Sequence, residues 1–112
     1  MPIVDTTQPI TAARCDAYIL QIVESYPFCR TEVITETAFS RPVRTLVIGN
    51  GPRKVVYSAA HHANEWITSL LLLKFAEEFA RAIRENRQIL GQNAADIAAA
   101  ATIYMVPMVN TD

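Results

Sequence analysis

The sequence predicts an α/β fold, a mixed β-sheet with flanking helices, and three observations carry that expectation. Two segments repeat their apolar residues at three- and four-residue steps, the mark of amphipathic helices. Two others, Val55 to Ala60 and Thr102 to Val109, run without polar alternation, as strands covered on both faces do. The first of these runs leads straight into the longest helical segment, the strand-then-helix order of an α/β sheet.

Composition sets the scale. The chain has 112 residues, 51% of them hydrophobic, with 10 basic against 11 acidic side chains. One core is the most that such a length holds, so residues 1–112 are read as a single unit. A net charge of −1 offers no clustered cation surface for nucleic acid or anionic membrane. The apolar run Leu70 to Leu73 is far short of the roughly 20 residues of a membrane span. Neither a basic leader nor a long apolar stretch opens the sequence, which makes the cytoplasm the default location. Cys15 and Cys29 match no zinc-knuckle or redox spacing and are expected to be buried free thiols.

Thr11 to Tyr26 reads as a helix with Cys15, Tyr18, Ile19, Ile22, Val23 and Tyr26 on its apolar face, stopped by Pro27. Glu32 to Phe39 alternates and reads as a half-exposed strand, and Val43 to Ile48 as a second strand. The dense turn signal Gly49, Asn50, Gly51, Pro52 predicts a hairpin between that strand and Lys54 to Ala60. A helix from about Glu65 to Leu90 presents Leu72, Phe75, Ala76, Phe79, Ala82 and Ile83 on one face. Its four leucines, Leu70 to Leu73, cover most of the circumference, so that end is expected to be buried on more than one side. Glu77 and Arg81 form an i,i+4 pair on the outer side, and Gly91 is the expected C-terminal cap. Asn93 caps a short helix from about Ala94 to Ala100, and Thr102 to Val109 is the last strand.

Candidate chemistry gathers where the third strand meets the long helix. His62 and Glu65 stand three apart at the carboxyl end of a strand, the place where ligand sites form in open α/β sheets. Side chains three positions apart across a first helical turn can converge on one ion. Zinc takes an imidazole nitrogen and a carboxylate oxygen at about 2.0–2.2 Å, and three protein ligands with one water make a hydrolytic site. A helix start also favours the ionised carboxylate that a metal requires. The bare pair is also compatible with a solvated first-turn acid and a satisfied loop histidine. His61 points to the opposite face of the strand end and is not read as a ligand. Asn64 is read as a helix cap, Tyr57 and Trp66 as core aromatics, and Asn110 as a residue bordering the cleft.

The stretch SAAHHANEWITS resembles the zinc-site motif of the carboxypeptidase A superfamily of zinc metallopeptidases, in which a strand delivers HxxE followed by Trp, Ile and Thr. SRPVRTLVIGNG resembles the strand and turn before that motif, and YMVPMVNTD the later strand ending in Asn-Pro-Asp-Gly, with Thr111 in place of the usual proline. The combination of YPF, HHANEWIT and VPMVN is similar to the bacterial branch that cleaves the γ-D-glutamyl to diaminopimelate bond of cell-wall peptides. The resemblance covers roughly Tyr26 onward and implies the N-terminal portion of a zinc-carboxypeptidase-like three-layer fold. It implies that His62 and Glu65 are two of three zinc ligands and that the substrate is a peptide or cell-wall peptide. The family's third ligand, its substrate-carboxylate arginine and its catalytic glutamate follow the Asn-Pro-Asp-Gly strand and are not among these 112 residues. The zinc ligand set within the chain is therefore incomplete, and the 112-residue polypeptide alone is expected to hydrolyse little or nothing. The alternative is a non-catalytic interaction module that self-associates through an exposed sheet edge.

Overall fold

A computed structural model describes residues 3–36, 42–60, 66–89 and 91–109. Helix α1 (Ala12–Ser25) begins where the Thr11 hydroxyl accepts the Arg14 amide, and it ends before Pro27. Its buried stripe is Cys15, Tyr18, Ile19 and Ile22, and Tyr26 at its C-cap is buried too, so five of the six positions that the periodicity selects are buried and Val23 is partly so. Strands β1 (Arg30–Glu36) and β2 (Pro42–Gly49) pair antiparallel, with Arg30 opposite Val47. Strand β3 (Arg53–Ser58), helix α2 (Trp66–Arg84), the two-residue strands β4 (Gln88–Ile89) and β5 (Gln92–Asn93), helix α3 (Ala94–Ala100) and strand β6 (Ala101–Val106) complete the order.

The expected α/β class is found, but the sheet order corrects the expected hairpin. The order is β1-β2-β6-β3: β6 lies between β2 and β3, antiparallel to the first and parallel to the second. The reason lies in Gly49 to Pro52, which is not a tight turn but a seat for the start of β6. The Asn50 amide donates to the Ala98 carbonyl (3.0 Å), the Gly51 amide to that of Ala101 (3.2 Å), and the Thr102 hydroxyl to that of Gly51 (2.8 Å). With the loop clamped on the α3–β6 junction, β2 and β3 are held apart by one strand.

The same topology corrects the expectation that β3 is covered on both faces. Among the described residues it is an edge strand and largely exposed, whereas β6, in the middle of the sheet, is buried almost throughout. β1 is the opposite edge among the described residues and more exposed than a half-buried strand, with both Val33 and Ile34 open to solvent. Alternate residues of the central strands, Leu46 and Ile48 with Ile103 and Met105, join the buried faces of α1, α2 and α3 in one core.

Helix α2 ends six residues earlier than the periodicity suggests. Asn86 takes the left-handed conformation (φ 55°), its amide donates to the Ile83 carbonyl and that of Arg87 to the Ala82 carbonyl, the paired bonds of a Schellman termination. Asn86 is therefore the capping residue, and Gly91 (φ 81°) instead turns the chain between β4 and β5. Asn93 caps α3 as expected, accepting the Asp96 amide. Of the four leucines, Leu70 and Leu73 are buried but Leu71 is exposed, so the start of α2 is not enclosed on all sides.

Glu77 is not on the outer side. It is fully buried, and its carboxylate accepts the amides of Ile3 (2.6 Å) and Val4 (3.0 Å) while lying 3.6 Å from Arg81 and 3.4 Å from Lys74. The i,i+4 pair exists, but its work is to anchor the N-terminal segment across α2.

Cys15 and Cys29 are buried free thiols, as expected. Burial pushes both up to about 12, reinforced at Cys15 by the Asp16 carboxylate and opposed at Cys29 by Arg30 and Arg84. Native protein should therefore resist alkylation at pH 8, with both thiols reacting once it is unfolded, as read by mass. The unfolded thiols lose their protons near pH 8.5–9 and the folded ones do not, so stability falls as pH rises from about 9 towards 12.

Candidate metal centre at the carboxyl end of the parallel strands

Strands β3 and β6 run parallel with Ser58 opposite Val106, so their carboxyl ends lie side by side. The ladder continues beyond the strands: the Ala59 amide donates to the Val106 carbonyl and the Val109 amide to the Ala59 carbonyl, each at 3.0 Å. At Ala60 the chain leaves the sheet. Ala60 is buried and holds φ at 53°, a conformation that costs a residue with a Cβ about 1–2 kcal/mol. Its amide donates to the Thr68 hydroxyl at 3.0 Å, which cinches the end of β3 to the first turn of α2. Strain of this kind persists only where the surroundings fix it, and it concentrates at functional sites.

The five residues between Ala60 and Trp66 include His61, His62, Asn64 and Glu65. All lie outside the described residues, as do the side chain of Trp66 and residues Asn110 and Thr111. Described residues alone contain no group of three His, Cys, Asp or Glu able to hold a metal. Cys15 and Cys29 belong to the core beneath α1 and contribute nothing here. The donor chemistry of HxxE, one imidazole and one carboxylate, suits zinc.

Beside the carboxyl end of β3 runs an apolar groove of about 460 Å³ lined by Tyr57, Ser58, Ala59, Thr68, Leu71, Leu72 and Phe75. Tyr57 meets Phe75 edge-on at 6.3 Å, and Phe75 stacks on Phe79 at 5.9 Å. Tyr57 is half exposed, so it is a wall of this groove and not the core aromatic that its sequence context suggests. Sequence reasoning missed two contributors, the left-handed Ala60 and the Thr68 brace. Thr68 had a signal, its place in WIT three residues after Glu65; Ala60 had none, because alanine gives no sign of positive φ.

Residues 15–112 match the family model for zinc carboxypeptidases. The chain belongs to that family. It is 32% identical over 94 residues to γ-D-glutamyl-L-diamino acid endopeptidase 1 of Lysinibacillus sphaericus, covering 84% of this chain and 24% of that protein. The uncharacterized protein YqgT of Bacillus subtilis (strain 168) is 31% identical over 96 residues, covering 84% and 26%. Among solved structures, thrombin-activatable fibrinolysis inhibitor superposes with a TM-score of 0.83 at 18% identity, over 100% of this chain and 29% of its own. Carboxypeptidase A of Helicoverpa armigera gives 0.76 at 16%, over 96% and 26%. These structural likenesses establish a carboxypeptidase fold, in keeping with the resemblance of the motif. The chain spans about a quarter of the length of the curated relatives that it matches. Zinc carboxypeptidases are zinc-dependent hydrolases of peptides; no helix among the described residues is long and apolar enough to cross a membrane.

Proposed function

We propose that this chain supplies the metal-delivering part of a zinc metallopeptidase, with His62 and Glu65 as two of the zinc ligands. The observation that carries this reading is the frame around them: parallel strands ending side by side, a strained turn at Ala60, and an Ala60–Thr68 bond that fixes the entry to α2. His62 serves as a neutral imidazole donor and Glu65 as an ionised one, favoured by the positive end of α2. When bound, zinc polarises a scissile carbonyl and lowers the pKa of a bound water. The substrate class that we favour is a peptide bearing a γ-D-glutamyl to diaminopimelate bond, supported by the name of the Lysinibacillus relative and the YPF, HHANEWIT and VPMVN pattern.

No residue of the chain is assigned as general base, so the 112-residue polypeptide is expected to release no diaminopimelate from such a peptide. It is expected to retain zinc weakly in equilibrium dialysis. His62→Ala and Glu65→Gln should each lower that retention at least about tenfold, since even outer-shell partners of a metal are worth 10–100-fold. Zinc retention unchanged in both variants would sink the assignment, as would hydrolysis that survives His62→Ala.

One observation favours a second reading, a non-catalytic self-associating module: β3 has no strand among the described residues on its outer flank.

A further inference from the structure

The loop Gly49 to Pro52 carries chemistry of its own. Of the five asparagines in the chain, Asn50 alone precedes a glycine. Asparagine is a thermolabile residue, and a following glycine lets the next backbone nitrogen reach the side-chain amide carbon with no Cβ in the way. Asn50 is exposed to solvent, whereas Gly51 is buried against the α3–β6 junction. The loop lies at the amino ends of β3 and β6, away from the carboxyl ends where the candidate metal centre is placed.

Ring closure requires the Gly51 nitrogen to swing onto Cγ of Asn50, a rotation about the Asn50 Cα–C bond. Both sides of that bond are pinned: the Asn50 amide donates to the Ala98 carbonyl at 3.0 Å and the Gly51 amide to the Ala101 carbonyl at 3.2 Å. The second of these also engages the N–H whose proton must be lost before the nitrogen attacks. Beyond it, the Gly51 carbonyl accepts the Thr102 hydroxyl at 2.8 Å. A loop lifted from β6 gives up these bonds together, and its nitrogen is then free to react. A nitrogen–carbon bond forms as ammonia leaves, giving a succinimide, and water opens the ring at either carbonyl to aspartate or isoaspartate. Nothing is oxidised or reduced. Isoaspartate routes the main chain through the side-chain methylene and so lengthens the loop by one backbone atom. The seat has no slack for it, since even a Cβ at Gly51 would stand 2.1 Å from the Ala100 carbonyl carbon.

We propose that Asn50 and Gly51 form a latent deamidation site: the seat on β6 holds it closed in the folded chain, and opening of the loop converts Asn50 to isoaspartate, which cannot reseat. Opening followed by such a change is irreversible. The test incubates the chain at mildly alkaline pH, folded or unfolded in urea, and follows the Asn50 peptide by mass. Methyl transfer by an isoaspartyl methyltransferase tells isoaspartate from aspartate. Conversion should be at least about tenfold slower in the folded chain, because the bonds that pin the loop must open first. Thr102→Val removes the hydroxyl bond to the loop at nearly constant volume and should speed conversion in the folded chain. Ile19→Val, a core change in α1, should not, which separates local opening from global unfolding. Asn50→Asp keeps the main chain at its natural length and should keep the wild-type urea midpoint, whereas the isoaspartyl chain should unfold at lower urea. Equal rates in the folded and unfolded chain, equal acceleration by Thr102→Val and Ile19→Val, or an isoaspartyl chain with the wild-type midpoint overturns the proposal.

Discussion

Gly51→Ala should destabilise the chain by about 3 kcal/mol or more, a large part of the roughly 5–15 kcal/mol that holds a domain of this size folded. A Cβ at Gly51 would stand 2.1 Å from the Ala100 carbonyl carbon and 2.2 Å from the Ala101 amide nitrogen. Both are backbone atoms at the α3–β6 junction, and neither can move without dragging the central strand. The Gly51 amide and carbonyl are also committed, to the Ala101 carbonyl and the Thr102 hydroxyl, so retreat of the loop would break two hydrogen bonds. Overpacking against backbone is therefore unrelieved. Urea unfolding should show the midpoint drop, and Gly91→Ala gives the contrast. Gly91 has nothing within 4 Å of its would-be Cβ, and its substitution should cost only about 1 kcal/mol for its left-handed φ of 81°. Equal losses at the two glycines would show that backbone conformation, and not the seating of the loop on β6, sets the effect.

Gly51 also shows where the sequence was legible and where it was not. The turn signal over Gly49 to Pro52 is real, but local composition cannot distinguish a hairpin turn from a loop that receives another strand. That distinction depends on Ala98 to Thr102, some fifty residues away. The α1 stripe, the Asn93 cap and the existence of every long element depend on neighbours within one or two helical turns, and those were readable. The end of α2 was not, because Asn86 and Gly91 both permit a left-handed residue and only the packing of β4 and β5 selects the first. Burial of β3 was misjudged because an apolar run tells how much surface seeks cover, not what covers it. At the candidate site the sequence offers HxxE and WIT, a pattern of chemistry at fixed spacing, and of these residues the structure describes the Thr68 brace. The left-handed turn at Ala60 was invisible, since its cause is the tertiary bond to Thr68 and the continued ladder to Val106 and Val109.

Glu77→Gln should cost about 2–3 kcal/mol and release the N-terminal segment before the rest of the fold opens. The native carboxylate accepts the amides of both Ile3 and Val4, and hydrogen bonds to a charged acceptor are worth roughly 1.5–3 kcal/mol each. Glutamine keeps one acceptor oxygen but turns an N–H group towards one of those two donors, leaving a buried donor unmet. Lys74 and Arg81 moderate the loss: their side chains are 31% and 28% exposed, so water solvates them when their partner's charge is removed. The loss is local because the segment has few other ties. Beyond Glu77, its described residues are held by the Asp5 amide bonded to the Tyr18 hydroxyl at 3.3 Å, by Arg14 donating to the Pro9 carbonyl at 3.1 Å, and by the burial of Val4 and Ile10. Amide exchange is the discriminating measurement. Val4 protection should collapse in the variant while that of Leu46, Ile48 and Met105 falls only with global stability. If Val4 stays as protected as in the wild type, the buried carboxylate does not hold the N-terminal segment. If all four amides lose protection together, the segment belongs to the cooperative core and Glu77 acts on the whole fold.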